Sequence, residues 1–401
     1  MLAEEKLKKL IKNANIVDKD NNIFGEILIE NGKIADIGKN LNFDDGFEII
    51  DAKGKTVMPA FADLHVHFRD PGFTYKEDLK TGSLSALRGG YTTVNTMANT
   101  KPVCSDLEIY SDIMKRAKEL DLIDINQIVA VTENFDGKNL VDYSKFKNAK
   151  FLSDDGKGIL SETTMYKAIL EAQKIDKIIM IHAESELSSI DYRIAEDLMT
   201  LRDIYLAKRL GGKIHLCHVS TTDSLEAVRR GKKEGVKVTC EITPHHIALW
   251  DNSYRVNPPI RAKADVDALI DGILDGTVDA IATDHAPHTA EDKSNGSPGL
   301  VGLETAFAIC NTKLVKERNI NIKILSKVMS YGGANLMGIK KGLIKEGYDA
   351  DLVIVDVDKK VVVDASKFAS KSKNTPFDKT ELYGEVLMTI KNGEIKYKGE
   401  F

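Results

Sequence analysis

Residues 61–72 read FADLHVHFRDPG, an apolar run carrying His65 and His67 that ends in a charged Arg-Asp-Pro-Gly corner. Alternate side chains of an extended strand share a face, so both imidazoles project to one side, with Leu64 and Val66 on the other. Taken alone, the pair fits two histidines on a wet strand face as well as it fits a metal site. The surrounding pattern gives it meaning. Short apolar runs recur at 61–67, 91–97, 126–132, 150–153, 178–182, 214–218, 236–242 and 278–284. Between them lie stretches of helical periodicity such as LKTGSLSALRGG, DLEIYSDIMKRAKEL and TTDSLEAVRRGKKEG. Eight strands alternating with helices predict an α/β chain built as a (β/α)8 TIM barrel.

The same alternation could be drawn as a doubly wound sheet, and the positions of the metal-type residues decide against it. His182 closes KIIMIH, His218 closes IHLCH, Asp284 closes AIATD, and Asp154 and Asp155 follow FLS. Barrel active sites sit where the strands end, and a ring of imidazoles and carboxylates there is a ligand set for zinc or a similar divalent cation. Without a cation such a ring would bury unpaired charge at a large desolvation cost. His215 and His218 are three apart, so a regular strand sends them to opposite faces; the one nearer the strand end, His218, is the candidate ligand, and His215 reads as a hydrogen-bonded structural histidine. His245 and His246, in EITPHH, read as structural.

The chain ends use a different idiom. Alternating runs such as EILIENGKIADIG and VLMTIKNGEIKYKG carry Asn-Gly turns, the chemistry of β-hairpins. Residues 1–57 and 345–401 therefore read as the two parts of one small β-sandwich domain, with the hydrolase-type barrel at 58–344.

Composition narrows the partner. The 401 residues are 42% hydrophobic and 29% charged, with a formal net charge of -5, which offers no broad attraction for nucleic acid or an anionic membrane. A small-molecule substrate is expected. The opening MLAEEKLKKLIKNANIVD interrupts its apolar positions with charges, unlike a secretory leader, and no later run reaches membrane-spanning length. The four cysteines, Cys104, Cys217, Cys240 and Cys310, lack metal-ribbon or disulfide spacing and read as reduced thiols in a cytoplasmic protein.

Along almost its whole length the chain resembles the dihydroorotases of the amidohydrolase superfamily, in the bacterial type that carries an aspartate where relatives have a carboxylated lysine. The resemblance rests on DLHVHFRDPG, GGYTTVNTMANTKPV, FLSDDGKG, HLCHVST, EITPHH, RVNPPIR, ATDHAPHTAEDK, GLET, DADLVIVD and SKNTPF. It implies the reversible cyclisation of N-carbamoyl-L-aspartate to L-dihydroorotate, in pyrimidine biosynthesis, with one or two Zn2+ per subunit. It also implies metal ligands at His65, His67, Asp155, His182, His218 and Asp284, with Asp155 bridging two metals; Asp154 is the competing choice. Asp284 would shuttle the proton. Arg69 and Asn99 would hold the substrate carboxylate, and Asn257 and His288 its ring or carbamoyl portion. A homo-oligomer, or association with a transcarbamoylase, would fit the resemblance.

The sequence departs from the family pattern at Ala98, in a short interval between His182 and His218, and at SYGGANLMGI, where the family leads into a late helix with Asn-Pro-Ala. Two other readings compete. Hydantoinases and allantoinases share the barrel but bridge their metals with lysine, and the nearby Lys150 begins its strand while the ligands end theirs. A catalytically inactive scaffold subunit would lack ligand histidines, and none is missing here.

Overall fold

The structure, a computed structural model, describes residues 8–43 and 46–400. Eight parallel strands form the barrel wall: β1 (Phe61–Val66), β2 (Tyr91–Thr96), β3 (Asp124–Gln127), β4 (Phe151–Ser153), β5 (Ile178–Ile181), β6 (Lys213–Leu216), β7 (Val238–Ile242) and β8 (Ala280–Ile281). Continuous ladders join β1 to β3 and β4 to β8. Parallel bridges from Val129 to Leu152 and from Val66 to His285 close the two arcs into a ring. Helices including Leu79–Arg88, Leu107–Leu120, Glu162–Lys174, Tyr192–Leu210, Thr222–Lys233 and Lys263–Leu274 alternate with the strands. This is the (β/α)8 barrel expected from the alternation.

A second sheet draws five strands from the N-terminal region and three from the C-terminal region. The two contributions meet where Thr56–Pro59 pairs antiparallel with Leu352–Val362. Hairpins at Asn31-Gly32 and Asn392-Gly393 place both turn residues at positive φ, the geometry that Asn-Gly supplies with little strain. Ile11, Ile16, Ile27, Ile29, Val57, Leu352, Ile354 and Ile390 pack into one buried cluster, the interior of the β-sandwich.

The wall departs from the expected strands in two places, and a carboxylate explains each. In the third strand the regular ladder covers Asp124–Gln127, because the amides of Val131 and Thr132 are taken by Asp154 at 2.7 and 3.0 Å. In the eighth it covers only Ala280–Ile281, because Asp63 receives the amide of Thr283 at 3.1 Å. The first strand also slips register between Asp63 and Val66. Leu64 therefore does not share a face with Val66: it packs inside the barrel with Phe151, Met180, Ala280 and Met337, while Val66 joins the outer layer.

The barrel interior is closed at its N-terminal end by Gly332–Met337, the segment that departs from the family's late helix. Its glycines allow backbone to meet backbone. A Cβ at Gly332 would lie 2.0 Å from the Asp279 carbonyl oxygen, and one at Gly333 2.3 Å from that of Ala62. Overpacking of this kind costs about 1–3 kcal/mol. Gly333→Ala should lower the melting temperature while turnover per folded molecule is kept; an unchanged melting curve would show that the packing there is loose.

Candidate metal centre

His65 and His67 leave β1 into the C-terminal mouth, both fully or almost fully buried. His182 follows β5 and Asp155 follows β4, each in phase with the inward residues of its strand. His218 and Asp284 reach the mouth with backbone help: both adopt positive φ, at 35° and 47°. That conformation is uncommon outside glycine and costs roughly 1–3 kcal/mol where the surroundings impose it. It corrects the expectation that His215 and His218 face opposite sides. β6 ends at Leu216, and the left-handed turn at His218 brings its ring back to the mouth. His215 lies deeper, bonded to Thr239 Oγ1 at 2.8 Å and Glu241 Oε2 at 3.1 Å.

Six of these side chains form two groups that share one carboxylate. Asp155 Oδ1 lies 3.4 Å from His182 Nδ1 and 3.5 Å from His218 Nε2, and those two nitrogens are 2.9 Å apart. Asp155 Oδ2 lies 3.4 Å from His65 Nε2 and 3.5 Å from His67 Nε2. Asp284 Oδ1 completes the second group, 3.0 Å from His67 Nε2 and 3.6 Å from His65 Nε2. The donor atoms of His65, His67 and Asp284 lie within 4.8 Å of one another, as do those of Asp155, His182 and His218, the spacing that could hold a metal ion.

The outward nitrogens of three imidazoles are committed elsewhere. His65 Nδ1 meets Glu241 Oε1 at 2.8 Å, His67 Nδ1 meets Asn99 Oδ1 at 2.9 Å, and His182 Nε2 meets Glu184 Oε2 at 2.7 Å. Each acceptor draws the ring proton to its own side, which leaves the inward nitrogen with a lone pair for a metal. Tyr192 fixes Glu184 in turn, donating its hydroxyl at 2.6 Å. Within the protein, His65 Nε2 and Asp155 Oδ1 are buried without a hydrogen-bond partner. The donor set thus fits a divalent cation with nitrogen and oxygen ligands.

The electrostatics agree. Burial would raise the Asp155 carboxyl, but the imidazoles of His65, His182 and His218 hold it well below the usual carboxylate range. Burial would lower His182, yet Asp155 and Glu184 hold it up at about 9. This pull on protons marks a site that attracts cations. Cys217 also lies within ligand reach of His65 and Asp155, but burial pushes its thiol up, and a protonated thiol is a poor ligand.

Asp154 belongs to a different network. It accepts from the amides of Val131 and Thr132 and from the Thr132 hydroxyl, and burial pushes its carboxyl up to about 6 despite these bonds. His245 and His246 stand apart from both groups. His246 bonds Thr243 Oγ1 at 2.7 Å and the Pro258 carbonyl at 3.0 Å, which ties down the loop carrying Asn257. His245 is buried with neither ring nitrogen partnered, and burial lowers it to about 4.

Above the two groups lies a cleft lined by Arg69, Asn99, Asn257, Asp284 and His288, with His67, Asp155, His182 and His218 at its floor. Arg69, at φ 58°, turns its guanidinium across the cleft, with Nη2 3.3 Å from His288 Nε2. Lys76 Nζ approaches the other ring nitrogen of His288 at 3.3 Å. Burial and the charges of Arg69 and Lys76 lower His288 to about 3, so its ring is neutral. One wall of the cleft is therefore cationic. Glu241, Glu184, Tyr192 and Lys76 were not among the residues expected from the sequence. Glu241 carried a signal, as the one charged residue inside the strand VTCEI.

Residues 56–396 match the model of the amidohydrolase family. The chain is 52% identical to a dihydroorotase of Clostridium botulinum over 98% of its length and all of that protein. It is 40% identical to a dihydroorotase of Acetivibrio thermocellus, covering 96% of this chain and 98% of that one. Among solved structures, the L-hydantoinase (dihydropyrimidinase) of Arthrobacter aurescens superposes with a TM-score of 0.89 at 27% identity, over 98% of this chain and 96% of its own. No helix among the described residues is long and apolar enough to cross a membrane.

The two aspartates should separate experimentally. Asp155→Asn should lower bound metal per folded chain, whereas Asp154→Asn should lower the melting temperature and leave metal content near normal. Elemental analysis and melting curves on the same preparations check this. Loss of metal in Asp154→Asn at unchanged stability would exchange the two assignments.

Proposed function

This chain belongs to the amidohydrolase family, among its dihydroorotases, and from that premise we propose that it interconverts N-carbamoyl-L-aspartate and L-dihydroorotate at the mouth of the barrel. The observation that carries this reading is the pairing of two donor groups joined by Asp155 with a cationic wall at Arg69 in the same cleft. A cyclic amide that also bears a carboxylate needs both.

His65, His67 and Asp284 would hold one zinc ion, and His182 and His218 a second, with Asp155 between them. Zinc bound there would supply Lewis-acid polarisation of the scissile carbonyl and an acidified water. The remaining work falls to the chain. Arg69 presents a planar fork suited to a carboxylate, and its Nε is buried without a partner. The proximity of His288 to Arg69 favours the carboxylate end for this residue rather than the ring portion. Asn99 accepts from His67 through its carbonyl, which leaves its amide N–H groups to donate to substrate. Asn257 lines the cleft beside the ring or carbamoyl portion.

Asp284 is the proton carrier. Burial would raise its carboxyl, but His67 and its neighbours hold it well below the usual range, so it stands ionised as a base. In ring opening, water adds to the ring carbonyl carbon and gives a proton to Asp284; the C–N bond breaks, and Asp284 returns that proton to the ring nitrogen. Closure runs in reverse, with the carbamoyl nitrogen attacking the side-chain carboxyl carbon and water leaving. The four cysteines are free and buried, in keeping with a reducing cytoplasm.

Zinc-loaded protein should turn over dihydroorotate in preference to hydantoin and allantoin; hydantoin turnover without dihydroorotate turnover would overturn the reading. Asp284→Asn should cost at least about 10²- to 10⁴-fold in both directions while the fold is kept. Arg69→Lys keeps the charge and loses the fork, so it should weaken dihydroorotate binding with metal content unchanged. Unaltered kinetic constants in that variant would remove Arg69 from the carboxylate site.

A further inference from the structure

The C-terminal strands Leu352–Val362 and Glu381–Lys391 are antiparallel neighbours, with Val362 paired to Glu381. An ordinary hairpin joins such strands with roughly two to five residues. Here residues 363–380 join them, with one short helical turn at Ala365–Lys367. Long connections of this kind are usually functional. This one leaves the sheet and crosses to the mouth of the barrel, carrying the stretch SKNTPF at 372–377. Carboxylates of the barrel side hold it there. Glu304 accepts from the amides of Ala369 and Ser370 at 2.8 and 3.1 Å, and the fully buried Glu77 accepts from the Ser370 hydroxyl.

Asn374 spends its whole side-chain amide on the substrate cleft. Its Oδ1 accepts from the backbone N–H of His288 at 3.0 Å, and its Nδ2 donates to the carbonyls of Ala286 and Gly299 at 3.3 and 3.1 Å. All three of these residues line the cleft. Ala286 and His288 lie on the limb of chain that leaves β8, and Gly299 lies on the limb that returns. The Asn374 carbonyl also accepts from the returning limb, from the amide of Val301 at 2.8 Å. The limbs touch closely where Asn374 spans them, since a Cβ at Gly299 would lie 2.7 Å from that of Ala286. Two residues earlier, the Ser372 hydroxyl donates to the Lys76 carbonyl at 2.8 Å. Lys76 is the cation at the second ring nitrogen of His288.

We propose that Asn374 is a positioning residue for the substrate carboxylate, holding the His288 loop at the spacing from Arg69 that lets both residues face one anion. This role rests on the reading of the cleft as a dihydroorotate site. The chemistry of the side chain fits it. Only a planar amide offers two donors and an acceptor in one short group; alanine or serine could not span both limbs, and aspartate would set a charged oxygen against two carbonyls. A cleft that binds by orientation loses affinity when one wall shifts, even when the shifting residue never touches the ligand.

Asn374→Ala should raise KM for dihydroorotate about tenfold while kcat stays within about twofold, since a loosened grip on the carboxylate weakens ground state and transition state alike. The fall in kcat/KM should be equal with N-carbamoyl-L-aspartate, because no variant can shift the equilibrium between the two. Bound metal should be unchanged, which separates the effect from a general collapse of the mouth. Asn374→Asp, of the same size, should also raise KM and decides the matter if the alanine variant folds poorly. In a His288→Ala background, Asn374→Ala should cost much less than it does alone, as expected of residues that act through one another. Wild-type kinetics in folded Asn374 variants, a parallel loss of metal, or a loss that multiplies in full with that of His288→Ala would each overturn the role of Asn374. A wild type that leaves dihydroorotate unconverted would overturn the substrate reading, and the role of Asn374 with it.

Discussion

The structure depends on one carboxylate that faces two ways. Asp155 is buried, and its two oxygens lie against two separate sets of imidazole nitrogens. A buried carboxylate is costly unless positive charge lies against it, and here the surrounding imidazoles hold its carboxyl well below the usual range. The arrangement becomes favourable when positive charge sits between oxygen and nitrogen. The spacing of β1, β4, β5 and β6 around the ring, the polar residues behind the imidazoles and the cleft above them all serve that requirement.

Those supporting residues show how a barrel converts strand ends into a site of defined chemistry. Glu241 bonds both His65 and His215, so one carboxylate sets the ring orientation of a candidate ligand and is itself anchored deeper in the barrel. Glu184 does the same for His182 and is held by Tyr192, the first residue of the helix Tyr192–Leu210. Asp154, next in sequence to Asp155, closes the wall by capping amides. Adjacent residues divide the work because successive side chains of an extended segment point to opposite sides.

Much of this was legible in the sequence because strand parity is a strong constraint. Runs such as KIIMIH and FLSDD place every second residue inward, and the residue that ends the run inherits that direction. The architecture and the convergence of the six candidate ligands follow from this parity and from the resemblance to dihydroorotases. Parity failed where the backbone is irregular. The slip between Asp63 and Val66 turned Leu64 inward, and the left-handed turn at His218 brought that ring to the same mouth as its neighbours. Neither feature has a local signature, since positive φ in a histidine is imposed by tertiary contacts. The carboxylates behind the candidate ligands were also hidden, because their partners lie on other strands and only the fold brings them together.

The most direct test of the shared carboxylate is diffraction from zinc-loaded crystals at the zinc absorption edge. The account predicts two anomalous peaks, one beside His65, His67 and Asp284 and one beside His182 and His218, each at about 2.0–2.2 Å from a different oxygen of Asp155. Zinc at only one group, or zinc that leaves Asp155 uncoordinated, would contradict it.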